Sequence, residues 1–346
     1  MKDAEGLNDA ERLKGVEGLK EELLLQYYKP LTVIVSEQDA GKEVRTVLER
    51  RLGVSRKLLS QVKLTEHGLT LNEERVYTTA KVSAGDIIRV RMEREQSDDI
   101  LPQNLPLDIL FEDEDLLIVN KPAGVIVHPT HGHYTGTLAN GVVYHWLQRG
   151  EKVRFRPVHR LDEETSGVVA VAKTGYVHQQ LSEQMQRGEV DKRYLAYVYG
   201  APPASTGMVD EPIDRDPDSP HIRIVTPTGY PSLTRYEAVK HFGGGPGEAA
   251  ATLVKLKLET GRTHQIRVHM KHLGCPLIGD KMYGADANQI NAWEKCVNRQ
   301  ALHAVTLGFI HPLTGKKMEF HAPLPPELTA LEVLLRQNRQ HDNPAE

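Results

Sequence analysis

Pro157-Val158-His159-Arg160-Leu161-Asp162-Glu163-Glu164-Thr165-Ser166-Gly167-Val168-Val169-Ala170-Val171-Ala172-Lys173 is a charged loop that turns through Ser166-Gly167 into an unbroken apolar run. A valine-rich run bounded by turn residues reads as a buried strand. Asp162 therefore stands close to a rigid element, beside an arginine and several hydroxyl and amide donors. Side chains held in this way are suited to building a site. On residue type alone the plainer reading, Asp162 capping a turn or pairing with Arg160, is the commoner one.

The 346 residues exceed one typical domain and suggest two plus a tail. Hydrophobic content of 39% and charged content of 26% are those of an ordinary globular chain. No apolar stretch is long enough to span a bilayer, and Met1–Gly15 lacks the apolar core of a signal peptide, so a cytoplasmic protein is expected. Cys275 and Cys296 form no metal-binding spacing and no disulfide framework. The net charge of −4 is unevenly spread: residues 1–26 carry −3 and residues 95–118 carry −8, which leaves +7 elsewhere. A basic surface on the domains is compatible with that distribution.

Working outward towards the amino terminus, residues 1–30 read as a flexible tail and residues 31–94 as a small domain. Within it Leu31–Val35 is an expected strand. Val44, Val47, Leu48 and Leu52 have helical spacing up to Gly53, and Ser55 caps a second helix to Val62. Leu69–Leu71, Tyr77–Thr79 and Ile87–Arg91 read as strands. Residues 42–94 carry a net charge of +5, and Arg50, Arg51, Arg56 and Lys57 flank the turn between the helices. They are either a phosphate-binding cluster or a solvated basic face. Residues 95–108, acidic and containing Pro102 and Pro106, form an expected linker.

Residues 109–335 make the second domain, and residues 336–346 a polar tail. Leu116–Asn120 is a strand entering the phrase Lys121-Pro122-Ala123-Gly124, whose proline and glycine force a turn. His128, His131 and His133 lack a carboxylate or cysteine at ligand spacing, so no metal is assigned. Thr174 caps a helix to Arg187. Lys192–Tyr199 is a strand with Tyr194, Ala196 and Val198 on one face. Residues 201–250 read as hairpins on the rim, with Arg215, Arg223 and Arg235 as candidate contacts for a polyanion. Thr252–Glu259 is a half-buried strand. Gly261 and Thr263 launch a helix that ends at Gly274, with His264, Arg267 and Lys271 on its polar side. Leu302–His311 is a further strand, and a short helix follows around Leu328–Leu335.

His159-Arg160-Leu161-Asp162 with Thr165-Ser166-Gly167 resembles the signature of the RluA family of RNA pseudouridine synthases. The phrases Lys121–Pro129, Lys192-Arg193-Tyr194-Leu195-Ala196, Gly261–Arg267 and 302–325 resemble its other ordered blocks. The order Leu52-Gly53-Val54-Ser55-Arg56-Lys57-Leu58-Leu59, then Ala84-Gly85-Asp86-Ile87-Ile88, resembles the αL RNA-binding module of ribosomal protein S-four type. In place of that module's usual glycine-ended turn this chain has Gly68-Leu69-Thr70-Leu71-Asn72-Glu73.

The resemblance implies an α+β protein: a pseudouridine synthase fold with a central mixed, mainly antiparallel sheet flanked by helices and loops, plus a small α+β αL domain. It implies Asp162 as the catalytic aspartate, Arg267 as its ion-pair partner, and Tyr194 as a stacking platform and possible base. Arg160 is expected to fill the space that a flipped nucleotide vacates. The implied partner is RNA, ribosomal by resemblance to large-subunit enzymes, with tRNA as the alternative target. Isomerisation involves no redox change, so neither cofactor nor metal is required. A monomer is expected. Two other readings stand beside this one. The first is an RNA-binding ribosome-assembly factor with secondary catalysis. The second is a glycosidase using Asp162, Glu163 and Glu164, against which stands the fact that neighbours in one loop rarely straddle a substrate.

Overall fold

The computed structural model describes residues 25–243, 250–284 and 296–337. Residues 1–24 of the tail expected over 1–30, the Gly244-Gly245 part of the loop-rich stretch and residues 338–346 of the polar tail lie outside them. The described end of that tail is packed rather than free: Tyr27 and Tyr28 are buried, and Tyr28 N donates to Met92 O at 2.8 Å. The described chain divides into two compact units. One contains the residues up to Asp98 together with Trp146–Arg156 and Lys173–Gln180. The other contains Asp99–His145, Pro157–Ala172 and the chain from Leu181 onward. The division at Asp98 falls within the expected linker. Two later segments nevertheless belong with the first unit, which a linear boundary cannot express.

In the first unit, β1 (Leu31–Ile34), α1 (Val44–Leu52), α2 (Arg56–Val62), β2 (Leu69–Leu71), β3 (Glu74–Arg75) and β4 (Ile87–Val90) follow in order. The strands form an antiparallel sheet, β1-β4-β2-β3. The helices bury Val44, Val47 and Leu48 from α1, and Leu58, Leu59 and Val62 from α2. Gly53 ends α1 in the left-handed conformation at φ 62°, and the Ser55 hydroxyl accepts the Leu58 amide at 3.2 Å. From the segment Lys173–Gln180, the Tyr176 hydroxyl donates to Leu52 O at 2.7 Å and Gln179 Nε2 donates to Gly53 O at 2.7 Å.

Tyr77–Thr79 is not a strand. Asn72 and Glu73 both have positive φ, 50° and 70°, so the tight hairpin turn comes earlier and β3 ends at Arg75. Tyr77 is left exposed.

The second unit is built on a ten-stranded mixed sheet. Its chain order is β5 (Asp108–Glu112), β6 (Leu116–Lys121), α3 (Leu138–Gln148), β7 (Arg156–Pro157), β8 (Ser166–Ala172), α4 (Gly175–Gln186) and β9 (Asp191–Tyr199). Then come β10 (Thr206–Asp210), β11 (Ile213–Arg215), β12 (Arg223–Val225), β13 (Leu233–Phe242), β14 (Ala251–Leu258), α5 (Gln265–His272), β15 (Leu302–Ile310), β16 (Lys317–His321) and α6 (Pro326–Gln337). The spatial order is β10-β13-β14-β9-β15-β8-β6-β5, with β16 added beside β15 and β7 beside β8. Strands β8 and β15 run parallel, whereas β6, β9, β10, β13 and β14 pair antiparallel with their neighbours. All seven residues of β8 are buried, which accounts for its continuous apolar run. β13 crosses the sheet between β10 and β14, so the expected rim hairpins over 201–250 are partly core.

Register places Gly207, Tyr236, Leu256, Tyr194, Ala304, Gly167 and Lys121 on one line across seven strands. Only glycine fits at Gly167. Its φ is 122°, and a Cβ there would lie 2.2 Å from Ala304 O.

Candidate active site

The Asp162 loop leaves this line at Gly167 and is held at several points. Thr165 N donates to Asp162 O at 3.0 Å, closing a turn. Lys121, fully buried, donates from Nζ to three carbonyls: Pro122 at 2.8 Å, Val125 at 2.6 Å and Glu163 at 2.9 Å. Gly124 N also donates to Glu163 O, at 3.0 Å. Burial, reinforced by the Arg299 charge, pushes the Lys121 ammonium down to about 7. From the other side, buried Arg299 donates to Glu164 O at 2.9 Å and to the Ser166 hydroxyl at 3.1 Å, and it pairs with Glu327 at 2.8 Å. His159 Nε2 accepts the Ala170 amide at 3.3 Å. Burial, then the Lys192 charge, pushes that imidazole down to about 4, so it is a neutral acceptor. The Lys121-Pro122-Ala123-Gly124 turn and the segment at Arg299 thus fix the backbone of the Asp162 loop.

Arg267, on α5, has all three guanidinium nitrogens committed. Nε and Nη2 donate to the two oxygens of Asp280 at 2.7 and 2.8 Å, and Nη1 donates to Asp162 Oδ2 at 3.3 Å. The Asp280 carboxylate is sealed from solvent and also accepts the amides of Met282 and Tyr283, both at 3.0 Å. Burial opposes its ionisation, but Arg267 and these amides outweigh burial and hold the group below the usual carboxylate range. The planar fork leaves one edge of the arginine facing Asp162, whose side chain is 24% exposed. The sequence placed Arg267 on a polar helix side. It is in fact buried, because Asp280 compensates its charge.

His264 precedes α5 in the left-handed conformation, φ 57° and ψ 18°. Gln265 anchors this turn. Its Oε1 accepts from the Thr260 hydroxyl at 2.8 Å and from Arg262 N at 2.9 Å, while its Nε2 donates to Leu233 O and to the Thr234 hydroxyl. His264 Nδ1 lies 2.8 Å from the Tyr283 hydroxyl, which accepts the Arg223 amide at 2.8 Å. Tyr283 is seated in a small apolar cluster with Ile213 and Val268.

Asp162, Tyr194, His264 and Arg267 line one hollow of about 280 Å³ whose apolar walls include Met185, Ile266 and Leu302. On the other side of the Asp162 loop lies a second hollow of about 780 Å³, with His128, Lys281 and Gln300 among its walls. Arg160 lines both and is exposed, with no ion pair or hydrogen bond among the described residues. Burial, and then the Asp162 charge, raises the pKa of Tyr194. Its hydroxyl is therefore a neutral phenol at physiological pH, able to donate a hydrogen bond.

In the first unit the four expected cations are dispersed. Arg51 turns back to Asp39 at 2.6 Å and Ser36 at 3.0 Å. Arg56 is exposed on a groove of about 550 Å³, which it shares with Arg45, Lys63, Glu49 and Thr78. Arg50 and Lys57 are exposed outside that groove.

Among the described residues, Asp113, Asp115 and His311 come within metal-ligand range of one another. However, His311 Nδ1 already accepts the Leu313 and Thr314 amides, and its Nε2 lies 3.2 Å from Asp113. Asp113 Oδ1 in turn accepts the Asp115 and Leu116 amides. The group works as a turn anchor.

The sequence reading missed Lys121 as an individual residue, together with His264, Asp280, Tyr283 and Arg299. A usable signal was Gly279-Asp280-Lys281-Met282-Tyr283-Gly284, where an acid and an aromatic sit between two glycines. A Cβ on Gly279 would lie 2.2 Å from Arg299 O.

A family described as RNA pseudouridylate synthase matches residues 115–272. The chain is 43% identical over 281 residues to an RNA pseudouridine synthase of Bacillus subtilis, YjbO, covering 81% of this chain and 95% of that protein. It is 37% identical over 315 residues to the ribosomal large subunit pseudouridine synthase D of Escherichia coli, covering 88% and 94%. Human RNA pseudouridylate synthase domain containing 1 superposes with a TM-score of 0.53 at 26% identity, covering 70% of this chain and 98% of that one. The fold and the coverage of these relatives define an RNA-modifying isomerase. The chain belongs to the RluA-type RNA pseudouridine synthase family.

Proposed function

We propose that this enzyme converts uridine to pseudouridine in large-subunit ribosomal RNA, with Asp162 as the catalytic carboxylate. One observation carries the site assignment: Asp162 faces a nucleoside-sized hollow while a buried arginine, itself fixed by buried Asp280, holds its other side. In the reaction the bond between N1 and the sugar breaks, the uracil turns, and carbon 5 joins the sugar. The carbon-5 proton is lost and N1 gains one. Asp162 supplies covalent or electrostatic stabilisation at the sugar or ring, and Tyr194 stacks on the uracil. Arg160, exposed at the mouth of both hollows, occupies the gap left when the nucleotide unstacks. The large-subunit name of the Escherichia coli relative supports the ribosomal target. Mapping pseudouridines in total RNA of a deletion strain tests it. Sites lost from large-subunit RNA and restored by the wild-type gene are expected, whereas loss confined to tRNA would replace this target with the tRNA alternative.

We also infer that the first unit binds RNA phosphates through Arg45, Arg56 and Lys63, since these cations share one groove. Replacing all three with alanine should weaken RNA binding and flatten its salt dependence, by a log–log slope of about 0.7 to 0.9 for each phosphate no longer neutralised. Turnover at saturating RNA should change much less. Point substitutions are preferable to deleting the unit, because Tyr176 and Gln179 from later in the chain bond to its turn. Unchanged affinity and slope would leave the groove a solvated surface.

A further inference from the structure

We propose that His264 is a substrate-binding residue of the Asp162 hollow, its Nε2–H donating a hydrogen bond to a carbonyl oxygen of the flipped uracil. The proposal rests on the pseudouridine synthase reading and adds a specific hydrogen bond to it.

The tautomer follows from a directed chain of donors. Arg223 N–H donates to the Tyr283 oxygen at 2.8 Å, and the Tyr283 hydroxyl in turn donates to His264 Nδ1 at 2.8 Å. The proton of the neutral imidazole then sits on Nε2, which points at Asp162 Oδ1. A carboxylate favours an N–H on that side over a lone pair. Burial lowers the imidazole's pKa, and the charges of Arg267 and Arg223 act in the same direction, against the pull of Asp162 and Asp280. His264 is therefore a neutral donor at physiological pH.

This donor is not consumed. Nε2 lies 4.0 Å from Asp162, beyond hydrogen-bond length. Arg267, the neighbouring cation, has every nitrogen engaged by Asp280 or Asp162. His264 is thus an uncommitted neutral donor beside Asp162, in a hollow whose walls combine apolar Met185, Ile266 and Leu302 with the cations Arg160, Lys192 and Arg262. A neutral donor suits a carbonyl oxygen of a neutral heterocycle, whereas the cations on the same walls are the better match for a phosphate.

The backbone supports a functional role. A non-glycine residue in the left-handed region is strained, and such strain gathers at working sites. Here Gln265 enforces it by clasping the preceding turn to Leu233 and Thr234. If His264 served only the fold, glycine would serve better.

The test compares wild type with His264→Gly and Tyr283→Phe. Tritium release from 5-tritiated uridine in a target RNA gives KM and kcat. The same RNA with an abasic target nucleotide gives a competitive inhibition constant. For His264→Gly, catalytic efficiency should fall about tenfold, the scale of one hydrogen bond to a neutral group. The inhibition constant of the abasic RNA should not change, because the hydrogen bond is to the base. Tyr283→Phe should give a smaller loss and, by nitrogen NMR, a mixed tautomer at His264 in place of Nε2–H alone. Unchanged efficiency in His264→Gly, or an equal weakening of the abasic competitor, overturns the uracil hydrogen bond. Absence of pseudouridine formation by the wild type would instead overturn the catalytic reading, so the two failures are distinguishable.

Discussion

Asp162→Asn is expected to lower pseudouridine formation by roughly three orders of magnitude or more, the scale at which removal of a key catalytic group is felt. RNA affinity should stay within a few-fold of wild type. Asparagine has the same shape, and Arg267 stays fixed by Asp280 at 2.7 and 2.8 Å. The loop backbone also keeps its ties to Lys121 and Arg299. Only the 3.3 Å interaction with Arg267 loses its charge, on a side chain still partly exposed, so the melting temperature should barely move. Tritium release and a filter-binding titration on one RNA measure both quantities. Residual turnover above a tenth of wild type would remove Asp162 from the chemistry.

Arg267→Leu should act on the fold as well as on the reaction. It strips the partner from a carboxylate sealed from solvent, a loss of about 3–5 kcal/mol when one member of a buried pair is removed. The pH dependence gives this a sign. In the wild type the folded-state pKa of Asp280 is depressed, so its contribution is present above the unfolded value, near 4, and fades as pH falls through the lower folded value. In Arg267→Leu burial acts without a partner and raises the folded pKa of Asp280. Folding then favours the protonated acid, and the difference between variant and wild type should shrink on acidification from pH 7.5 to 5. Urea unfolding at both pH values, followed by two probes, measures it. A difference independent of pH, or below about 1 kcal/mol, would mean that Asp280 is accommodated in another way.

Local signals carried much of the reading. Val168–Ala172 announces β8 because a strand buried on both faces needs no alternation, and Gly53 and Ser55 mark a helix end and start through local backbone and cap chemistry. Asp162, Tyr194 and Arg267 stand in separate motifs, and their convergence depends on the register of β14, β9, β15 and β8, which no local pattern encodes. The same holds for Lys121, whose three carbonyl partners include one 42 residues away, and for Asp280, whose importance lies in a side chain on another element. Tyr77–Thr79 misled because β-favouring residues were weighed above the turn at Asn72-Glu73. Arg45 and Lys63 were passed over for the denser run at Arg50–Lys57, since charge density along a chain does not show which cations share a groove.

The line from Gly207 to Lys121 makes the Asp162 loop an extension of the sheet, with little room to adapt. An inflexible site leaves the other molecule to do the deforming. Which uridines react then depends on how readily each one yields: a nucleotide in a loop or bulge surrenders its stacking cheaply, while one in a continuous duplex resists. Under the proposed function, pliability of the RNA would thus become a selection rule in its own right.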